Sequence, residues 1–174
     1  MSYIPRAVRR TLIAAVLLSA AAGAAAAAPA AVSSRACAAG AAGQAELKPL
    51  QPLALSTSRG RFDFQVEAAS TPHTREVGMM CRKSIAPDRG MLFDFQGPTD
   101  NVAFWMRNTL IPLDIVYIRP DGRVLSIARN ARPLDETPLP AGGQIRAVLE
   151  LAGGRAAQIG LLPGDKVVHR IFAQ

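Results

Sequence analysis

Cysteine and histidine are scarce in this chain, two of each among 174 residues. Two cysteines argue against a multi-disulfide scaffold, and His73 and His169 alone cannot build a multi-His metal cage. Aromatics reach only 5%, and no basic cluster is interleaved with them, so no nucleic acid partner is expected. Charged residues at 19% are too few, and hydrophobic residues at 49% too many, for a disordered, charge-extended chain. G-x-S-x-G, Walker A, H-E-x-x-H and C-x-x-C are all missing, which removes the usual nucleophile, phosphate-cradle, zinc and dithiol signatures. No cofactor and no metal is therefore expected. Methionine thioethers suit Cu(I), and Met80 and Met91 are spaced as in one copper-binding pattern. The His-x-Met that should follow is absent, so Met79, Met80, Met91 and Met106 are expected to fill core gaps.

What is present first is an export signal. Arg6, Arg9 and Arg10 precede the apolar run Thr11–Ala20, and alanines continue to Ala28. A basic start, a short apolar core and small residues offering A-x-A sites predict a secretory signal peptide over 1–28, cleaved between about Ala22 and Ala28. Arg9-Arg10-Thr11-Leu12-Ile13 also fits a twin-arginine pattern, so both export routes stay open. The expected location is periplasmic or secreted, with no integral membrane domain after cleavage. Removing residues 1–28 takes three arginines and no acid, lowering the net charge from +7 to +4.

Residues 29–52 are low-complexity Ala, Gly, Ser and Pro, read as a flexible tether. Cys37 lies there. It either pairs with Cys81 in an oxidising compartment or stands as a separate thiol; the sequence leaves both open. Residues 53–173 form the expected domain. Arg61–Ala68 alternates polar and apolar as a half-buried strand does. Thr71-Pro72 opens a helix expected to run to about Arg82, weakened at Gly78. Strand-like runs follow at Met91–Phe95, Asn101–Met106, Leu113–Arg119, Arg123–Asn130, Ala147–Leu151 and Lys166–Phe172. Pro120-Asp121-Gly122 marks a hairpin, and Gly153-Gly154 leads into a short helix ending near Gly160. The pattern predicts a mainly β, β-rich α+β domain, a compact barrel-like or sandwich sheet with one or two short helices.

Several segments carry a resemblance. They are Val66-Glu67-Ala68, Thr71-Pro72, Arg75, Gly78-Met79-Met80 and Arg82, then Gly90-Met91-Leu92-Phe93-Asp94-Phe95. Next come Phe104-Trp105-Met106-Arg107-Asn108-Thr109-Leu110-Ile111-Pro112-Leu113-Asp114-Ile115, Val148-Leu149-Glu150-Leu151-Ala152-Gly153-Gly154 and Pro163-Gly164-Asp165. Together they resemble the domain of unknown function 192 family, small exported or cytoplasmic proteins of bacteria and archaea. The resemblance implies a mainly β fold and no established activity. Met79, Cys81 and Ala147 depart from the family's usual residues.

Function must then come from the residues. Leu113–Ile118 is apolar on both faces, as in a strand buried on both sides, yet it contains Asp114. Glu150 lies in a similar apolar stretch. A buried carboxylate costs several kcal/mol unless paired or protonated. The expected helix places Arg75, Gly78, Met79 and Arg82 on one face, with Val77, Met80 and Cys81 toward the core. Three arrangements follow. Arg75 and Arg82 latch Asp114 and Glu150 internally, with Asn108 and Thr109 satisfying backbone groups. Alternatively Arg75, Arg82, Trp105, Asn108, Thr109, Asp114 and Glu150 line a pocket for a small polar or anionic ligand or an envelope partner. In the third, Asp114 and Glu150 act as a catalytic acid/base pair of a hydrolase-type envelope enzyme. Trp105 and Phe104 are expected on opposite faces of a strand. A non-enzymatic binding module of the cell envelope is the reading carried forward, with the envelope enzyme as its alternative.

Overall fold

The computed structural model of the protein describes Cys37 and residues 46–172. The expected signal peptide, and all of the expected tether before 46 except Cys37, lie outside the described residues.

Among the described residues from Gln51 on, nine strands and two short helices follow in chain order. They are β1 (Gln51–Thr57), β2 (Gly60–Ala69), α1 (Pro72–Val77), β3 (Arg89–Thr99), β4 (Ala103–Phe104) and β5 (Leu113–Ile118). After them come β6 (Val124–Ala131), β7 (Leu139–Pro140), β8 (Ile145–Ala152), α2 (Arg155–Gln158), β9 (Lys166–Val168) and a 3-10 turn at Arg170–Phe172. The mainly β expectation holds. Seven strands form one curled half-barrel sheet in the order β6-β5-β8-β3-β2-β1-β9, and β4 pairs with β7 in a separate ribbon. All neighbours are antiparallel except β2 and β3, which run parallel. A parallel pair needs a long crossover, and the segment carrying α1 supplies it. The sheet curls until its two edges meet at one end, where Arg123 bridges Lys166 and the Val167 N–H donates to Gly122 O.

Curling gives the sheet two differently covered faces. Strand alternation turns Leu53, Leu55, Phe64, Val66, Leu92, Val116, Ile118, Leu149 and Leu151 into one core, closed by Ala156 and Ile159 around α2. The opposite face carries Met91, Phe93, Leu113, Ile115, Tyr117 and Val148 and packs against Met79, Met106 and Ile111. Hence every residue of β5 is buried. The second face is covered by segments with little regular structure. The β4–β7 ribbon lies over it, fixed where Tyr117 Oη donates to Leu139 O and Ser126 Oγ donates to Ala141 O at 2.6 Å.

Two boundaries differ from expectation because tertiary contacts set them. β1 begins at Gln51, two residues ahead of the expected domain start, and Leu47 already packs against the second core. Helix α1 starts as predicted, with Thr71 and Thr74 exchanging backbone and side-chain hydrogen bonds as a capping box. It stops at Val77, well before Arg82, because Gly78 adopts φ +47°. Arg75 and Arg82 therefore do not share a helical face. The Asn101–Met106 run yields only the two residues of β4, and the last strand ends at Val168.

Candidate functional site

Asp114 and Glu150 are both buried, at 0% and 4% exposure, and the sheet sends them to opposite sides. In the β5–β8 register Ile115 faces Glu150 and Asp114 faces Leu151. Directly opposed residues share a face and successive residues alternate. Asp114 thus lies on the Val116 and Ile118 side, Glu150 on the Ile115 side. The two carboxyls cannot act on one substrate atom, which removes the acid/base pair.

Asp114 has no arginine partner; its ligands are backbone N–H groups. Oδ1 accepts from Asn130 N at 2.7 Å and Gly154 N at 3.1 Å, and Oδ2 accepts from Ala156 N at 2.6 Å. Two of these donors are the unsatisfied amides at the start of α2. The third belongs to the irregular β5–β6 register between Leu113 and Ile115. Of the two glycines before α2, Gly154 gives its amide to Asp114, while the Gly153 amide donates to Pro112 O at 2.9 Å. Asp114 belongs to the scaffold and lines no pocket.

Arg82 is likewise taken. Its Nη1 donates to Glu67 Oε1 and its Nη2 to Glu67 Oε2 at 2.7 Å, with side chains 13% and 5% exposed. Leu47 N adds a third donor to Glu67 at 2.7 Å. The expected latch of Arg75 and Arg82 on Asp114 and Glu150 is therefore absent. Glu67 was invisible as a buried acid, since alternation in β2 put it on the polar face. It is covered only because Leu47 and the turn after α1 fold over it. Arg75 Nη1 donates to Ser70 O at 2.8 Å and Asp94 O at 3.0 Å, and its guanidinium lies over the Phe95 ring.

Glu150 is different. It stands in a row across the sheet, Glu67–Met91–Glu150–Ile115, roughly 10 Å from Glu67 by two strand spacings. Its Oε2 is buried without a hydrogen-bond partner. Burial pushes its carboxyl from the ordinary 4.5 up to about 8, against the opposing pull of Arg82's charge. Above it opens a cavity of about 540 Å³ between α1 with its following turn and residues 103–109. Glu150 forms part of the lining with Gly78, Met79, Phe93, Phe104 and Trp105, while Arg75, Asn108 and Thr109 also border it. Of the seven residues expected to line a site, the structure brings Arg75, Trp105, Asn108, Thr109 and Glu150 together and leaves Arg82 and Asp114 outside.

The local chain explains this opening. The missing Cβ at Gly78 lets the turn sit against Phe93, whose ring would be 3.0 Å from an added methyl. Phe104 meets Phe93 edge-on at 5.0 Å and Tyr117 at 6.2 Å, forming an aromatic wall. Burial also pushes the Tyr117 phenol up to about 12. Phe104 and Trp105 both border the cavity, since β4 ends between them and alternation lapses. Trp105 is 48% exposed under the Arg107 guanidinium, which also pairs with Glu136 at 3.0 Å. Asn108, at φ +55°, accepts from Cys81 N through its carbonyl at 2.8 Å and donates through Nδ2 to Met80 Sδ. Thr109 is buried and donates to Arg107 O. These last two hold the wall's backbone in place. Cys81 is disulfide-bonded to Cys37, which decides the question the sequence left open. Met79, Met91 and Met106 are buried in the second core, whereas Met80, also expected there with Val77 and Cys81, is only half-buried and borders the cavity, because the chain leaves the helix at Gly78 and Met79 turns inward instead. Among the described residues no group of three or more His, Cys, Asp or Glu side chains gathers to hold a metal.

Comparison with known proteins gives the same domain and no activity. A crystal structure of a Sinorhizobium meliloti 1021 protein, provisionally called a transcription regulator, is 37% identical, with a TM-score of 0.69 over 74% of this chain and 99% of that one. A Novosphingobium aromaticivorans DSM 12444 protein of unknown function is 46% identical, with a TM-score of 0.67 over 75% of this chain and 96% of that one. No curated protein matches. The profile of the DUF192 family, described as Uncharacterized ACR, matches residues 54–169, a span that contains α1, α2, the cavity over Glu150 and all of the sheet but the first three residues of β1. The chain belongs to the domain of unknown function 192 family.

Proposed function

We propose that this protein is an exported ligand-binding module of the cell envelope whose site is the cavity over Glu150. The observation that carries the reading is Glu150, its buried Oε2 without a partner, at the base of a cavity walled by Met79, Phe93, Phe104 and Trp105. A buried polar atom without a partner destabilises a fold, and a leucine there would pack without that cost. Small-molecule sites have this composition, apolar walls with few fixed polar groups.

Export rests on the basic start, apolar run and alanine-rich cleavage region of 1–28. The Cys37–Cys81 disulfide supports it, because such bonds persist in oxidising compartments. Fractionation with N-terminal sequencing tests this part; an intact Met1 on a cytoplasmic protein overturns it. The name given to the Sinorhizobium neighbour raises nucleic acid as a partner. The modest charge of +4 after removal of 1–28, spread along the chain, favours the cavity instead.

The site is tested by melting Glu150→Gln and Glu150→Leu at pH 7. A residue kept for binding at the expense of stability predicts gains of about 1–3 kcal/mol. A loss above about 1 kcal/mol in both variants would make Glu150 a structural group and remove the site.

A further inference from the structure

The chemistry at the base of the cavity narrows what it can take. Each arginine of the lining is already engaged: Arg75 on two carbonyls and the Phe95 ring, Arg107 on Glu136 and the Trp105 ring. Neither donates to Glu150. Glu76 and His73, both exposed at the rim, add a second acid and an imidazole to the lining, and Arg82, paired with Glu67, acts on Glu150 from outside it. Phe93 and Phe104, packed edge to face, form an aromatic wall against which the apolar part of a ligand can lie. A carboxyl so placed is either protonated or in need of a counter-charge from outside the chain.

We propose that the cavity binds a small organic amine in its ammonium form, the ammonium on the Glu150 carboxyl and the apolar remainder against Phe93, Phe104 and Trp105. This rests on the reading of the cavity as a ligand site and adds the class of ligand. Charge-assisted hydrogen bonds of this kind are about twice as strong as neutral ones, and the burial of Glu150 limits their screening by water.

The proton balance gives the amine a signature. With its carboxyl raised to about 8, Glu150 is protonated in the empty cavity at neutral pH. Ammonium binding converts it to carboxylate and releases one proton to solvent. Affinity therefore rises with pH up to about 8, by a factor approaching ten per unit. An alcohol accepting from the protonated carboxyl releases no proton. A carboxylate ligand binds more weakly as pH rises.

The test titrates the purified, disulfide-intact protein with phenethylamine and hexylamine, and in parallel with 2-phenylethanol, hexanol and hexanoate. Trp105 is the sole tryptophan of the chain, so its fluorescence reads occupancy directly. Saturation by an amine below about 10 mM, tighter at pH 8 than at pH 6 and tighter than by its alcohol, is the expected result. Glu150→Gln should weaken the amine at least about tenfold. Calorimetry of the unaltered protein in phosphate and in MOPS, at a pH near 6.8, should find close to one proton released per amine bound. Alcohol or hexanoate binding as tightly as the amines, no proton release, or no amine saturation overturns the proposal. If Glu150→Gln and Glu150→Leu nonetheless gain stability, the cavity remains a site and only the ligand class fails. If both lose stability, the site itself fails.

Discussion

Asp114 and Glu150 sit one step out of phase on neighbouring strands, and that offset decides what each acid does. Asp114 gathers three backbone N–H groups that have no other partner. Replacing it with alanine strands those donors in the interior, at about 1–3 kcal/mol for each one left unpaired. Asp114→Ala should therefore lower stability by about 3 kcal/mol or more in urea unfolding, and Asp114→Asn by less, since one accepting oxygen survives. A loss below about 1 kcal/mol would contradict the bonding described. Glu150 carries a pH dependence of the opposite kind to a salt-bridged acid. Its carboxyl is raised from 4.5 to about 8 by burial, so the folded protein holds a proton that the unfolded chain has given up. The associated stability is complete below about pH 4.5 and drains away as pH rises toward 8, with a slope of up to about 1.4 kcal/mol per unit. The advantage of Glu150→Gln over the unaltered protein should accordingly grow between pH 5 and 8. Melting both across that range checks it, and a constant difference would mean that Glu150 ionises normally. That two buried acids exist was legible from Leu113–Ile118 and Val148–Ala152. Their partners were not, because a main-chain N–H leaves no mark in a residue pattern.

Among the elements, those with strong periodicity or turn chemistry were legible and those held by contacts were not. β2, β5 and β8 follow from alternation and from runs buried on both faces. The α1 start follows from Thr71-Pro72. Its end depended on one residue, since Gly78 both stops the helix and admits the Phe93 ring. Gly78→Ala would meet a positive φ and a 3.0 Å contact together. The expected loss is about 1–3 kcal/mol, with a shift in Trp105 emission as the cavity wall moves. A neutral effect on both melting and emission would show that the turn repacks freely. β4 and β7 are two residues each, too short for any period, and exist because the second sheet face needs a cover.

For the whole described unit, the Cys37–Cys81 disulfide joins residues 44 apart in sequence. It fastens Cys37 to the turn beside the cavity, where Cys81 N also bonds Asn108 O. Cross-linking a loop of this length stabilises by about 2–4 kcal/mol. Guanidinium unfolding with and without dithiothreitol should show a loss of that size, Cys37→Ser and Cys81→Ser should each reproduce it, and the double variant should add little. Equal stability in reducing and oxidising buffer would contradict it. The sequence by itself determined the β-rich class, the strongly periodic strands, the family and the presence of two acids too deeply placed to ignore, because burial patterns and turn residues act locally. Tertiary structure alone decided the pairing. Arg82 met Glu67, Asp114 met the main chain, and Glu150 was left facing a cavity. Which side chains meet across a curled sheet depends on strand order, register and the parallel crossover through α1, all of which join residues far apart in the chain.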